Sequence, residues 1–145
     1  MSQDHWTWTL EEKFPSELGA HESFLYQVLE ILSEEGWHEK HVFGIRLAME
    51  EALVNAVRHG NALDSDKAVQ ATCRLAPDRI WIEVVDQGPG FDPDKVPDPT
   101  CDENLEKPCG RGILLMRSYM SQVEYNSQGN CVTMEKLRSD PTDEG

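Results

Sequence analysis

Basic residues are scarce in this chain, and their scarcity excludes one class of partner. The 145 residues include 13 lysines and arginines against 27 aspartates and glutamates, which gives a formal net charge of −14. Binding nucleic acid or anionic lipid by long-range attraction requires a basic surface. We therefore expect no direct nucleic-acid partner, and any phosphate group that the chain binds must be held by local contacts.

Long apolar runs and paired cysteines are absent as well. No stretch approaches the roughly 18 consecutive apolar residues of a membrane-spanning helix, and the opening Met-Ser-Gln-Asp has no apolar signal core. We therefore expect a cytoplasmic protein with no membrane contact. The four cysteines form no Cys-x-x-Cys pair, which predicts neither a zinc ribbon nor a disulfide framework. Reduced thiols are the simplest interpretation, although a bridge between Cys101 and Cys109 stays open.

What is present is an ordinary globular composition. Hydrophobic residues make up 39% of the chain and charged residues 28%, so one core can bury roughly two-thirds of the unfolded surface. We expect a single domain over residues 1–138 and an acidic, flexible tail over 139–145. Residues 91–109 are rich in proline and acids and lack apolar periodicity. Such long loops inside small domains are often lids over a functional site.

Apolar periodicity predicts the order strand, two helices, two strands, loop, helix and two strands. The first helix begins at Ser16, a favourable N-cap residue, and ends at Gly36. The other predicted elements are strands at 5–10, 69–75, 80–85, 123–127 and 131–137 and helices at 39–59 and 113–120. This order predicts an α+β fold, a two-layer sandwich whose helices cover one face of a mixed, mostly antiparallel sheet.

The second predicted helix carries an acid and an amide on one side. At about 100° per residue, Glu51 and Asn55 lie one turn apart on the same face. Leu47, Ala48 and Val54 flank this stripe, so it lacks the charged border of a plain solvated face. The amide oxygen can ligate hydrated Mg²⁺, and the carboxylate can orient an attacking hydroxyl. Considered alone, the cluster is also compatible with a water-facing stripe.

Two glycine-rich clusters follow. Asp86, Gly88 and Gly90 form an Asp-x-Gly-x-Gly pattern at the end of a predicted strand, where the acid can accept a hydrogen bond and the glycines let the backbone approach a flat ligand. Gly110 and Gly112 stand at the start of a predicted helix, where unpaired N–H groups and the helix dipole favour an anion. Each pattern considered alone favours an ordinary turn over a ligand site.

The three clusters in this order resemble the GHKL superfamily of ATP-binding domains, whose ATP-binding motifs follow the same sequence order. The resemblance extends from the first predicted strand to Lys136, and it implies the Bergerat fold. Three features are most similar to the stand-alone anti-sigma-factor serine/threonine kinases: the chain length, the lack of a phospho-acceptor histidine helix, and the run Glu-Ala-Leu-Val-Asn-Ala-Val-Arg-His-Gly at 51–60.

The resemblance implies ATP or ADP and Mg²⁺ as ligands, and it suggests a role for each matching residue. Glu51 corresponds to the general base and Asn55 to the Mg²⁺ ligand. Asp86 corresponds to the acceptor for the adenine amino group, and Gly88 and Gly90 shape the base pocket.

At the phosphate end, the resemblance places Gly110, Arg111 and Gly112. Lys107 and Arg111 are the cations available to the γ-phosphate. Family members commonly carry a Thr near the adenine after the glycine of the last hairpin, and this chain has Asn130 there. Since an amide also donates and accepts hydrogen bonds, Asn130 remains a candidate for base contact.

The family function implied by this resemblance is an anti-sigma factor. Such a protein phosphorylates a Ser or Thr of an anti-anti-sigma (STAS-type) partner, sequesters a sigma factor and forms a homodimer. Three alternatives stay open: a nucleotide-binding regulatory module without kinase activity, a detached histidine-kinase catalytic domain, and an interaction domain that binds no nucleotide.

Overall fold

The structure, a computed structural model, describes residues 6–60, 64, 66–88, 110–126 and 129–138. This part of the chain forms five strands and three α-helices. In chain order they are β1 (Trp8–Pro15), α1 (Glu22–Glu34), α2 (Glu39–Asn55), β2 (Ala68–Ala76), β3 (Arg79–Val85), α3 (Gly110–Tyr119), β4 (Gln122–Tyr125) and β5 (Cys131–Leu137). A π-helical turn, Ala56–Gly60, continues α2. The predicted lid at 91–109, the tail at 139–145 and the Cys101–Cys109 pair lie outside the described residues.

The strands form one sheet in the order β1-β2-β3-β5-β4. All four pairings between these strands are antiparallel. The predicted α+β fold with a mostly antiparallel sheet is therefore confirmed, and the described sheet holds no parallel pair. Strands β3 and β5 lie side by side, so the residues after β3 and before β5 meet at one end of the sheet.

One face of the sheet and the helices share a single core. Along β3, the side chains of Ile80, Ile82 and Val84 are buried, whereas the alternate positions are half-buried. Helices α1 and α2 contribute large buried side chains such as Phe24 and Met49. Full burial of each aliphatic or aromatic side chain of this size contributes roughly 1.5–3 kcal/mol to stability. This core holds α2 against the sheet and so fixes the stripe that carries Glu51 and Asn55.

The first strand is longer than predicted, and the first helix begins later. β1 pairs with β2 from Trp8 through Pro15, in register with Leu75 through Ala68. Ser16 is therefore not an N-cap: its side chain is buried, and its N–H donates to the carbonyl of Lys67 at 3.1 Å. Helix α1 begins only after His21, because a turn with Gly19 at a φ of 85° intervenes. The prediction of a helix start at Ser16 is wrong because pairing with β2 extends the strand.

Helix α2 follows the predicted range closely and packs tightly on α3. Its N-cap is His38, whose Nδ1 accepts a hydrogen bond from the N–H of Lys40 at 3.0 Å. At Gly44, an added Cβ would lie 2.7 Å from Cδ1 of Tyr119 in α3. The absence of a side chain at Gly44 therefore permits the close approach of the two helices.

Two expectations about cysteines and membranes can be compared with the described residues. Cys73 and Cys131 are free thiols. In the ranges that the structure describes, no helix is long and apolar enough to cross a membrane.

Candidate functional site

The acid and amide of α2 occupy different depths. Glu51 is half-buried, whereas Asn55 is only 8% exposed. The Nδ2 atom of Asn55 is buried, and no described residue offers it a hydrogen-bond partner. Such an unsatisfied amide is costly inside a protein unless a ligand or water completes it. The carboxamide therefore fits a site that receives a polar group from outside the chain.

The helix changes its winding directly after Asn55. Ala56–Gly60 adopts a π-helical turn, and single π turns inside α-helices occur frequently at functional sites. Ala56 and Val57 are buried in the core, so this turn is anchored to the sheet. The predicted helix over 39–59 thus forms, but its last turn is wound more widely than the periodicity indicated.

Asp86 follows β3 at the end of the sheet where β5 begins. Its N–H donates to the carbonyl of Asn130 at 2.9 Å, and its Oδ1 accepts the N–H of Gly88 at 2.8 Å. Among the described residues, none donates a hydrogen bond to the other carboxylate oxygen, Oδ2. That oxygen is the atom available to accept a hydrogen bond from a ligand.

The pKa of the Asp86 carboxyl is raised overall, although two neighbouring groups oppose the rise. Burial raises the pKa of its carboxyl above the ordinary value of 3.8, while the hydrogen bond from Gly88 and the charge of Lys67 lower it. A partly desolvated acceptor gains more from a matching donor than a solvated one does. The setting suits recognition of an N–H group on a flat ligand.

A second contact fixes the loop that carries Gly88. The side-chain Oε1 of Gln87 accepts the N–H of Ala68 at the start of β2, at 2.6 Å. Gly88 itself is buried. The chain after Asp86 is thus held against the neighbouring strand, which keeps the carboxylate in place.

Asn130 lies beside Asp86, and its predicted contact with a base stays a prediction. Its carbonyl accepts the Asp86 N–H, and its side-chain Oδ1 accepts a hydrogen bond from Nδ2 of Asn126 at 2.8 Å. The structure therefore brings Asp86, Gly88 and Asn130 together at one end of the sheet.

Tyr125, which no motif marks, interacts electrostatically with residues of the candidate site. Burial and the charge of Glu51 raise the pKa of its hydroxyl, Arg117 lowers it, and Asp86 raises it further. The carboxylates of Glu51 on α2 and of Asp86 after β3 thus both act on the pKa of this hydroxyl. Its only sequence signal was its place at the end of β4, where strand alternation turns it toward the helices.

The predicted phosphate end is described in its backbone only. Helix α3 begins at Gly110, three residues before the predicted helix at 113–120, so its first N–H groups form a helix N-terminus. Gly90 and Lys107 lie outside the described residues. The roles proposed for Arg111 and Gly112 remain predictions.

Comparison with known proteins assigns the chain to a family. A family model described as a histidine kinase-like ATPase domain matches residues 14–136. The chain belongs to this family. The expected likeness to the GHKL superfamily is thereby confirmed, and ATP binding is the property that the family implies.

Curated relatives of this histidine kinase-like ATPase domain are named as kinases and anti-sigma factors. A serine-protein kinase RsbW from Bacillus licheniformis is 32% identical over 79% of this chain and 77% of its own length. A serine/threonine-protein kinase BtrW from Bordetella bronchiseptica is 28% identical over 70% of this chain and 72% of its own. An anti-sigma F factor from Clostridium perfringens is 33% identical over 59% of this chain and 63% of its own.

A solved structure supports the fold. The crystal structure of the RsbU and RsbW domains of Rv1364c from Mycobacterium tuberculosis matches with a TM-score of 0.62 and 21% identity. The match covers 90% of this chain and 33% of that one. The likeness extends across the sheet and helices described above.

Proposed function

We propose that this histidine kinase-like ATPase domain is an ATP-dependent serine/threonine protein kinase and an anti-sigma factor. In this role it phosphorylates a Ser or Thr of a STAS-type anti-anti-sigma partner and sequesters a sigma factor. The observation that carries the proposal is the pairing of Glu51 and Asn55 one turn apart on α2, in a chain 32% identical to a serine-protein kinase.

The two ends of the site have separate tasks in this proposal. Asp86 accepts the adenine amino group through its Oδ2, with Gly88 and Asn130 beside it. Gly90 completes the base pocket, and the N-terminus of α3 at Gly110 receives the phosphates. Arg111, Gly112 and Lys107 supply the remaining phosphate contacts. Binding at both ends sets the position of the γ-phosphate, and position is most of what phosphoryl transfer requires.

Glu51 acts as the general base. The oxygen of the partner hydroxyl forms a bond to the γ-phosphorus, the bond between that phosphorus and the β–γ bridging oxygen breaks, and ADP leaves. The hydroxyl proton passes to the Glu51 carboxylate. Because Glu51 is half-buried on α2, it can accept this proton beside the phosphates while remaining connected to solvent.

Asn55 fits a divalent cation. Its amide is buried, and its Nδ2 has no described partner, so the group can rotate to present its oxygen to a cation. Bound Mg²⁺ neutralises phosphate charge, and Asn55 would hold it together with the phosphate oxygens and water. Among the described residues, no group of three or more His, Cys, Asp or Glu side chains could hold a metal ion.

The experiment that tests this function uses ATP labelled in its γ-phosphate, Mg²⁺ and a STAS-type partner. Acid-stable label on a partner Ser or Thr supports the proposal. Acid-labile label on a partner His would favour a histidine-kinase domain, and ATP binding without transfer would favour a regulatory module. No binding of ATP in calorimetry would contradict every nucleotide-based reading.

Sigma-factor binding and self-association need separate measurements. We propose a homodimer, and sedimentation equilibrium of the purified chain gives its mass directly. Titration of a sigma factor in the presence of ATP or ADP then measures sequestration. A monomer that binds no sigma factor would contradict this part of the proposal while leaving the kinase reaction standing.

A further inference from the structure

The carboxamide of Asn126, directly after β4, organises the hairpin that leads into β5. Its Oδ1 accepts three backbone N–H groups, those of Gly129 at 2.7 Å, Asn130 at 3.0 Å and Cys131 at 3.3 Å. Its Nδ2 donates to Oδ1 of Asn130 at 2.8 Å. The N–H of Asn126 also donates to the carbonyl of Cys131 at 2.9 Å. One side chain thus contacts every residue of the hairpin between 129 and 131.

These bonds determine which way both amides point. A backbone N–H can only donate, so the Asn126 atom that faces three of them must be the oxygen. Its nitrogen then faces Asn130, and the Asn130 atom that meets a donor must itself be an oxygen. Since an amide has one oxygen and one nitrogen on opposite arms, the NH₂ of Asn130 is turned away from Asn126.

The same hairpin is tied to Asp86. The carbonyl of Asn130 accepts the Asp86 N–H at 2.9 Å, and Asp86 Oδ1 accepts the Gly88 N–H at 2.8 Å. A continuous series of hydrogen bonds therefore runs from Asn126 through Asn130 to Asp86 and Gly88. Asn126 is thereby connected, through Asn130, to the loop that carries the Asp86 carboxylate.

We propose that Asn126 is a positioning residue for base recognition, which holds Asn130 so that its NH₂ faces the purine as a donor to a ring nitrogen. This inference rests on the proposed function, because it assumes that Asp86 and Asn130 contact adenine. Asp86 then reads the amino group as an acceptor, and Asn130 reads a neighbouring ring nitrogen as a donor. The pair requires opposite hydrogen-bonding groups on the base.

The test replaces Asn126 by an isosteric acid. Asn126→Asp keeps an oxygen for the three backbone N–H groups, so the hairpin is retained, but it cannot donate to Asn130. The Asn130 amide must turn its NH₂ toward the new carboxylate and present its oxygen to the base. We expect ATP affinity, measured by calorimetry with Mg²⁺, to fall roughly 3- to 10-fold.

A double-mutant cycle separates positioning from added charge and from loop damage. In an Asn130→Ala background, Asn126→Asp should change ATP affinity by less than about twofold, because the residue through which it acts is gone. Asn130→Asp, which can still accept from Asn126 but has no NH₂, should weaken ATP binding as Asn126→Asp does. Gln122→Glu, an amide-to-acid change at the other end of β4, is the control and should leave affinity unchanged.

Three outcomes decide the matter, with thermal melting used to verify that each variant is folded. A penalty that disappears in the Asn130→Ala background supports the inference. A penalty of the same size in both backgrounds, or no penalty at all, overturns it while ATP binding by the unaltered chain leaves the proposed function intact. If the unaltered chain binds no ATP, the proposed function falls and this inference falls with it.

Discussion

Gly88 donates its N–H to the Oδ1 of Asp86 at 2.8 Å, two residues away along the chain. This bond closes a tight turn directly after β3 and orients the carboxylate from its own loop. Because Oδ1 is engaged in this way, Oδ2 is the oxygen that accepts the adenine amino group in the proposed function. The relationship makes Asp86 the residue whose replacement separates nucleotide binding from folding most clearly.

We predict that Asp86→Asn weakens ATP binding. The amide retains an oxygen for the Gly88 N–H but presents a donor where the adenine amino group also donates. A hydrogen bond to a charged acceptor contributes about 1.5–3 kcal/mol, so affinity should fall roughly 10- to 100-fold in calorimetry. Asp78→Asn, an exposed position in the turn between β2 and β3, is the charge-matched control. Unchanged affinity in Asp86→Asn would remove Asp86 from base recognition.

The same substitution should stabilise the fold at neutral pH. Burial raises the pKa of Asp86 above 3.8, so the folded chain binds the proton more tightly than the unfolded chain does. Ionisation of Asp86 therefore costs folding free energy at pH values above its folded pKa. Urea unfolding should show Asp86→Asn to be more stable than the unaltered chain at pH 7, with the difference shrinking as pH falls toward 3.8. A variant less stable at pH 7 would contradict this.

Glu51→Gln should abolish phosphoryl transfer while sparing ATP binding. Gln cannot accept the hydroxyl proton, and loss of a general base costs roughly 10²–10⁴-fold in rate. Labelled-phosphate transfer to the partner gives the rate, and calorimetry gives the affinity. Glu50→Gln, one residue earlier and pointing about 100° around α2, is the matched control and should keep the rate. Transfer at the unaltered rate in Glu51→Gln would exclude this residue as the base.

Gly44→Ala should destabilise the contact between α2 and α3. The new Cβ would stand 2.7 Å from Cδ1 and 3.2 Å from Cβ of Tyr119. Overpacking of this kind typically lowers the free energy of unfolding by about 1–3 kcal/mol. A Tyr119→Ala background removes Cδ1 and Cγ, two of the atoms that the new methyl group would meet. There Gly44→Ala should be neutral or stabilising by about 0.5–1 kcal/mol, because alanine favours helix. Equal effects in both backgrounds, measured by urea unfolding, would contradict the steric explanation.

Cys131 should react slowly with alkylating reagents. Burial and the neighbouring Glu83, whose Oε2 lies 3.7 Å from Sγ, raise the pKa of the thiol to about 11. Little thiolate therefore exists at pH 8, and the thiolate is the reactive form. Glu83→Gln removes the negative charge and should speed alkylation of Cys131, followed by peptide mass spectrometry. The buried Cys73 is the internal reference and should stay unreactive in both proteins; equal Cys131 rates would contradict the electrostatic explanation.

Much of the site was readable from local sequence. The Glu51–Asn55 stripe depends only on helical periodicity. The apolar run from Ile113 indicated helix α3, which begins three residues earlier, at Gly110. The hairpin of β2 and β3 likewise follows from alternation around a short turn. Such local patterns predict the structure correctly because the apolar face that defines each pattern is the face that packs into the core.

Tertiary structure decided the rest. Local sequence predicted Ser16 as a helix cap, but pairing with β2 extends β1 as far as Pro15. The sequence of one segment does not indicate which strand it will pair with. Tyr125 and Asn126 carry no motif. The order β3-β5-β4 brings Asn126 to Asn130, whose carbonyl accepts the Asp86 N–H, and brings the hydroxyl of Tyr125 within electrostatic reach of Glu51 and Asp86. Sequence by itself determined which residues are candidates for nucleotide contact and which elements carry them. Only long-range strand pairing decided which side chains surround these candidate residues, because contacts between distant segments depend on the register of whole strands.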